Sequence, residues 1–245
     1  MLKLTPVSTD KNYSFSFYEA DSDYLVVCFS GVGKKRYKMP PYEFVGAATN
    51  GGKHSTLFVS DFTRSWMSAP GLQDAIIDQL ENHITKLAPK KVIAMGNSMG
   101  GFMALSLSRV MPIDVTIAFS PQFSADKNDV PEETRWTYHR DKIEHFYVQR
   151  IENLPTDFGT HFVFHGGEHR EYIHWSRFPI QGNLRHFIFP EGNHNIALAL
   201  KEHNILDKIV TNCMDQRPRR VRQLTKQLGG CWRNTAAEEQ CKKLW

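Results

Sequence analysis

Val92-Ile93-Ala94-Met95-Gly96-Asn97-Ser98-Met99-Gly100-Gly101-Phe102-Met103 decides the reading of this chain. Residues 92–95 form a short continuous apolar run, the pattern of a strand buried on both faces. Beyond Gly101, the residues Phe102, Met103, Leu105, Leu107 and Val110 recur with the spacing of a packed helix. Between them stands a serine bracketed by glycines, G-x-S-x-G, the pattern of a nucleophile elbow. The chemistry explains those glycines. A strained strand-to-helix turn lifts the serine hydroxyl clear of the backbone, and side chains two residues to either side would strike the neighbouring strand and helix. The helix start then directs free N–H groups at any negative charge that develops there. A glycine-rich turn with an idle serine would spell the same letters, but the flanking strand and helix favour a nucleophile.

Working outward, segments 13–18, 24–29, 56–59, 115–119, 161–164 and 186–189 predict further strands. Leu72, Ile76, Leu80, Ile84 and Leu87 predict an amphipathic helix over 72–87, closed by Ala88-Pro89. Ile196, Leu198, Leu200, Ile205 and Ile209 predict one closing helix over 196–209. Strands alternating with helices imply an α/β fold, a mostly parallel central sheet with helices on both faces. The 245 residues suit one such domain over 1–211. Residues 121–158 exceed an ordinary connection and read as a cap or excursion over the site.

A composition of 41% hydrophobic and 23% charged residues fits a soluble globular protein. No stretch approaches the roughly 18 apolar residues of a membrane helix. The opening MLKLTPVSTDKNYSF lacks the apolar core of a signal peptide, so a cytoplasmic location is expected. The net charge of +4 is uneven: residues 212–245 hold eight Lys or Arg against three acids and read as a basic C-terminal tail. Arg217-Pro218-Arg219-Arg220-Val221-Arg222 could meet phosphates. A solvated helix packed on the body is the plainer expectation, and no aromatic RNA-binding motif accompanies it. Neither a nucleic-acid nor a membrane partner is therefore expected. Cys28, Cys213, Cys231 and Cys241 show neither tight pairing nor metal spacing. His161, His165 and His169 stand four apart, but His-Phe-Val-Phe-His-Gly-Gly reads as a strand and turn, so no metal and no cofactor is expected.

A serine alcohol is a poor nucleophile until a base takes its proton. His194, in Pro190-Glu191-Gly192-Asn193-His194-Asn195, stands between the 186–189 strand and the last helix and is the best-placed base. His83 falls inside the 72–87 helix and His54 in an early glycine-rich loop. The acid that orients the base should follow the penultimate strand, in His165-Gly166-Gly167-Glu168-His169-Arg170-Glu171. Glu168 and Glu171 are both candidates, with Asp126 and Asp129 as alternatives after the preceding strand. An oxyanion needs two N–H donors. Met99 supplies one, and the turn Phe29-Ser30-Gly31-Val32-Gly33 supplies the other through Val32 or, failing that, Gly31. Lys34 and Lys35 could attract an anionic substrate, although exposed loop lysines are the plainer account. Trp66, Phe123, Trp136 and Tyr138 are candidates for the substrate pocket.

The Ser30–Gly33 turn, the Gly96–Gly101 elbow and Asn193-His194 resemble the α/β-hydrolase superfamily across roughly residues 13–210. The resemblance implies the chain order Ser, Asp/Glu, His and cleavage of an ester or thioester through an acyl-enzyme, with a small or acylated molecule as substrate. A glutamate as the acid and abbreviated first strands depart from the superfamily pattern. Ser120-Pro121-Gln122, and Asp61 with Trp66, resemble bacterial members of unsettled substrate, some associated with surface-polysaccharide loci. The same nucleophile would also serve acyl transfer to a sugar or lipid hydroxyl. A hydrolase-like binding protein without turnover is the reading from another class.

Overall fold

The computed structural model describes residues 2–245. Its elements begin with β1 (Thr5–Thr9), β2 (Tyr13–Tyr18), β3 (Tyr24–Phe29), α1 (Val45–Ala48), β4 (Ser55–Asp61) and α2 (Leu72–Leu87). There follow β5 (Lys91–Asn97), α3 (Met99–Leu107), β6 (Val115–Phe119), α4 (Thr137–Arg140), β7 (Thr160–Gly166) and α5 (His169–Trp175). The chain closes with β8 (Leu184–Phe189), α6 (Ile196–Glu202), α7 (Leu206–Met214), α8 (Pro218–Thr225), β9 (Cys231–Trp232) and α9 (Thr235–Lys242).

The strands form one sheet in the order β1-β2-β4-β3-β5-β6-β7-β8-β9. Strands β4, β3, β5, β6, β7 and β8 run parallel, while β1, β2 and β9 add antiparallel edges. Parallel strands need crossovers, and the crossovers cover both faces. On one face Val27, Phe29, Ala94 and Val163 pack with α2 and α3. On the other, Val26, Ile93, Met95, Ile117 and Phe164 pack with α1, α6, α7 and α8. Helix α3 is buried at all nine positions, which accounts for its nearly continuous apolar sequence.

Two features depart from the sequence pattern. The single helix expected over 196–209 is divided, because Asn204 adopts φ 57° and Ile205 N–H turns back to Leu200 O at 3.0 Å. Asparagine tolerates the left-handed region, and both pieces bury the same apolar face, so the periodicity runs through the break. Strands β1 and β9 were also absent from the expected set. The first is a largely exposed edge and the second has two residues, so neither carries an alternating apolar signal.

Residues 212–245 are built into the same body. Val221 and Leu224 of α8 join the core, β9 pairs with β8, and Trp245 Nε1 donates to Gly167 O at 2.9 Å. The arginines of α8 lie on its outer side. Between β6 and β7 the long excursion holds only α4 and irregular backbone. It is anchored by Val130, Val148, Ile151 and Leu154 in the core and by Arg140, which donates to the carbonyls of Ala125 and Glu133. No helix among the described residues is long and apolar enough to cross a membrane.

Candidate active site

Ser98 joins β5 to α3 with φ 55° and ψ −122°, a strained conformation for a residue with a side chain. The flanking glycines make it reachable. A Cβ on Gly96 would stand 2.4 Å from the Gly100 carbonyl, and one on Gly100 would stand 2.4 Å from Phe29 O. Ser98 N–H is tied to Phe119 O at 2.8 Å, which fixes the elbow against β6.

The Ser98 hydroxyl meets Gln122. Trp66 Nε1 is only a donor, so its 2.9 Å contact to Gln122 Oε1 fixes the orientation of that amide. Gln122 Nε2 then donates to Ser98 Oγ at 3.1 Å. Oγ therefore accepts from Gln122 and keeps its own proton for another partner. No hydrogen bond joins Ser98 to His194 among the described residues.

His194 lies at the carboxyl end of the sheet, in the turn after β8, and both candidate glutamates hold it, at different atoms. Glu171 Oε1 receives Nδ1 at 2.9 Å. Glu168, the residue before α5, receives the His194 backbone N–H at Oε1, 3.2 Å away. Asp126 and Asp129 are engaged elsewhere, with Gln149 and with Ser124 and Arg150. Glu171 is almost fully buried. Burial alone would raise its carboxyl, but the His194 hydrogen bond and charge and the Arg135 guanidinium hold it at about 2. An ionised Glu171 takes the Nδ1 proton of His194 as a hydrogen bond and leaves Nε2 unprotonated.

Behind Glu171 runs a continuous relay. Arg135 Nη1 donates to Glu171 Oε1 at 2.8 Å, while Nε and Nη2 grip Glu133. Glu133 accepts His174 Nε2 at 2.8 Å, and His174 Nδ1 accepts the Phe123 N–H at 3.1 Å. Burial would raise the Glu133 carboxyl as well, but its bonds to His174 and Arg135 hold it at about 2. Two carboxylates share one guanidinium.

The N–H groups expected at an oxyanion belong to the start of α3 and to the turn after β3. Met99 opens α3, so its N–H has no acceptor within the helix. The Val32 N–H makes no hydrogen bond among the described residues. Gly31 N–H points to Glu43 Oε2, 3.4 Å away. Burial raises the Glu43 carboxyl to about 7, against the pull of the Gly31 N–H and of His194. The turn is held from beneath by Arg64, which is fully buried and donates to the carbonyls of Val32, Phe62, Lys35 and Lys38.

The four pocket candidates separate. Trp136 lies 5.2 Å, ring to ring, from His194, with the Arg135 guanidinium 4.4 Å from its ring centre. Tyr138 is exposed and lines cavities of about 510 and 250 Å³. Trp66 is fully buried and acts on the site through Gln122. Phe123 packs its ring against Phe178 in the core, and its backbone N–H serves the relay. His161 and His165 are buried on β7, where His165 bonds His186 Nε2 at 2.9 Å and Pro121 O at 2.8 Å. His169 packs on Trp245, away from that pair. No three metal-ligating side chains converge among the described residues.

Four groups of the site escaped the sequence reading: Gln122, Glu43, Arg135 and Glu133. Gln122 did lie in the Ser120-Pro121-Gln122 string, and Glu133 and Arg135 in the charged stretch of the excursion. Nothing in Pro40-Pro41-Tyr42-Glu43 signals that its carboxyl turns back to Gly31.

No family model matches the chain, and no curated protein matches its sequence. Its fold does match solved structures. The capsule O-acetyltransferase of Neisseria meningitidis serogroup A aligns with TM-score 0.59 at 14% identity, over 86% of this chain and 96% of that one. The Francisella virulence factor BioJ aligns with TM-score 0.57 at 14% identity, over 88% and 85%. The acylaminoacyl peptidase of Pyrococcus horikoshii aligns with TM-score 0.57 at 13% identity, over 87% of this chain but 42% of that one. From its sheet order, its elbow and these likenesses, the chain has the α/β-hydrolase fold.

Proposed function

We propose that this chain is a serine acyl hydrolase acting on an ester or thioester. The observation that carries the reading is Glu171 Oε1 at 2.9 Å from His194 Nδ1, at the same end of the sheet as the strained Ser98 elbow. Ser98 Oγ attacks the acyl carbon and passes its proton to His194 Nε2. The carbonyl oxygen becomes an oxyanion held by Met99 and Val32 N–H. His194 then protonates the departing alkoxide or thiolate, leaving an acyl-Ser98. Water attacks that ester, with His194 again taking the proton, and Ser98 Oγ leaves with it. Glu171 orients the imidazole and stabilises its charged form, and Gln122 positions the Ser98 hydroxyl.

A specific feature favours acyl transfer as the second reading. A cavity of about 740 Å³, lined by Glu43, Phe44, Asn97, Leu198 and Lys201, opens between α1 and α6, where an alcohol larger than water would fit. The O-acetyltransferase named above shares the fold and so supports the reading without establishing it. Added glycerol or a monosaccharide should then divert the acyl group from water, which product analysis reads directly.

The primary test is labelling with a fluorophosphonate probe followed by mass spectrometry. The wild type should carry the label on Ser98, and Ser98→Ala should not react. Equal labelling of the two proteins would overturn the assignment.

A further inference from the structure

We propose that the cavity over Tyr138 binds a phosphate-bearing, nucleotide-like portion of the substrate, with Arg36 and Lys142 as its charged ligands. The proposal rests on the serine-acyl reading only for the word substrate; the binding itself needs no turnover.

Two adjoining cavities, of about 510 and 250 Å³, share Arg36, Tyr138 and His139. The smaller reaches Val32 and Trp136, the latter against His194, so a ligand lying along both would extend to the reacting centre. Three observations give the larger cavity its chemistry.

First, two cations lie on one ring. The Arg36 guanidinium carbon is 4.0 Å from the Tyr138 ring centre and Lys142 Nζ is 3.7 Å from it. Neither makes an ion pair with a carboxylate among the described residues, although Glu144 lines the same cavity. Like charges gathered on one tyrosine without a counter-ion repel each other, and a multivalent anion relieves that repulsion.

Second, a buried cation lies beneath. Arg64 is fully buried, and its donors go to four carbonyl oxygens with no carboxylate among them. The nearby Asp61, held by Thr63 and Ser65, is its counter-charge, and it makes no ion pair with Arg36 or Lys142 among the described residues. His139, buried between these groups, is pushed down to about 4 by burial and then by Arg64, Lys142 and Arg36. It stays neutral and leaves the anion to Arg36 and Lys142.

Third, the walls are aromatic. Tyr37, Phe62, Tyr138 and Tyr147 line the larger cavity. Planar rings beside unpaired cations suit a base next to a phosphate better than a lone carboxylate or an aliphatic chain.

The test is isothermal calorimetry with inorganic pyrophosphate, ADP and acetate as probes. The wild type and an Arg219→Gln control on α8 should bind ADP and pyrophosphate alike, with ADP the tighter, and both should weaken with salt. Arg36→Gln combined with Lys142→Gln should weaken both by at least about tenfold. Both side chains are exposed, so the double variant should fold normally, which circular dichroism checks. Absence of ADP and pyrophosphate binding in the wild type, or equal affinity in the double variant, overturns the proposal. Acetate binding as tightly as pyrophosphate overturns it too. Pyrophosphate binding as tightly as ADP overturns the nucleotide-like part. Failure of fluorophosphonate labelling would strike the serine reading and leave the binding result standing.

Discussion

Arg135 and His194 donate to the same oxygen, Oε1 of Glu171, at 2.8 and 2.9 Å. The guanidinium stabilises the carboxylate that orients the imidazole, yet it also competes for that carboxylate's lone pairs. Arg135→Gln should therefore raise the Glu171 carboxyl from about 2 toward the ordinary glutamate range and steepen the acid limb of the pH–rate profile below about pH 5, because Glu171 loses a charge that holds it low. It should also cost roughly 3 kcal/mol of stability, since Glu133 is left buried with less compensation. Profiles of kcat/KM against pH and urea unfolding measure the two effects. An unmoved acid limb would remove Arg135 from the account of Glu171.

The two glutamates that hold His194 should behave very differently. Glu171→Gln removes the charge facing Nδ1 and, if the amide turns its NH2 to the ring, favours the wrong tautomer. Turnover should fall by about 10⁴, as it does when the acid of such a set becomes an amide. Glu168→Gln touches only a backbone N–H, a bond worth about 1 kcal/mol, so a loss of about fivefold is expected. Steady-state kinetics on an activated ester compare them. Similar losses in both variants would mean that Glu171 has no special place.

Glu43 gives a stability signature with a definite sign. Burial raises its carboxyl to about 7 in the folded chain, whereas an unfolded glutamate ionises near about 4.3. Between those values the native chain retains a proton that the unfolded chain has released, so this group makes stability fall as pH rises. Glu43→Gln removes the penalty. Its advantage over wild type in urea should be small below about pH 4.5, grow toward about pH 7 and then level off. An offset that is the same at about pH 5 and about pH 8 would show that Glu43 does not titrate in this way.

Much of this arrangement was legible in the sequence because local rules govern it. The elbow announces itself through Gly96 and Gly100, whose missing Cβ atoms avoid contacts of 2.4 Å. His194 follows from its place between a strand and a helix. The choice between Glu168 and Glu171 was not legible, because it depends on the phase of α5: Glu168 is the residue before the helix, and Glu171, three residues on, turns its carboxyl inward. The contact of Gln122 with Trp66 spans 56 positions, and that of Glu133 with His174 spans 41. Such contacts are set by how the excursion after β6 folds back, which no periodicity encodes.

Arg64 holds the loop after β3 by main-chain oxygens alone, at Val32, Lys35 and Lys38 as well as Phe62. Because every peptide carries such an oxygen, the grip is blind to which side chains the loop bears. Residues 34 to 37 are therefore free to be exchanged in the laboratory, or over evolutionary time, with the Val32 amide staying where it is. Ligand preference at this rim is decoupled from the apparatus that would stabilise the reaction.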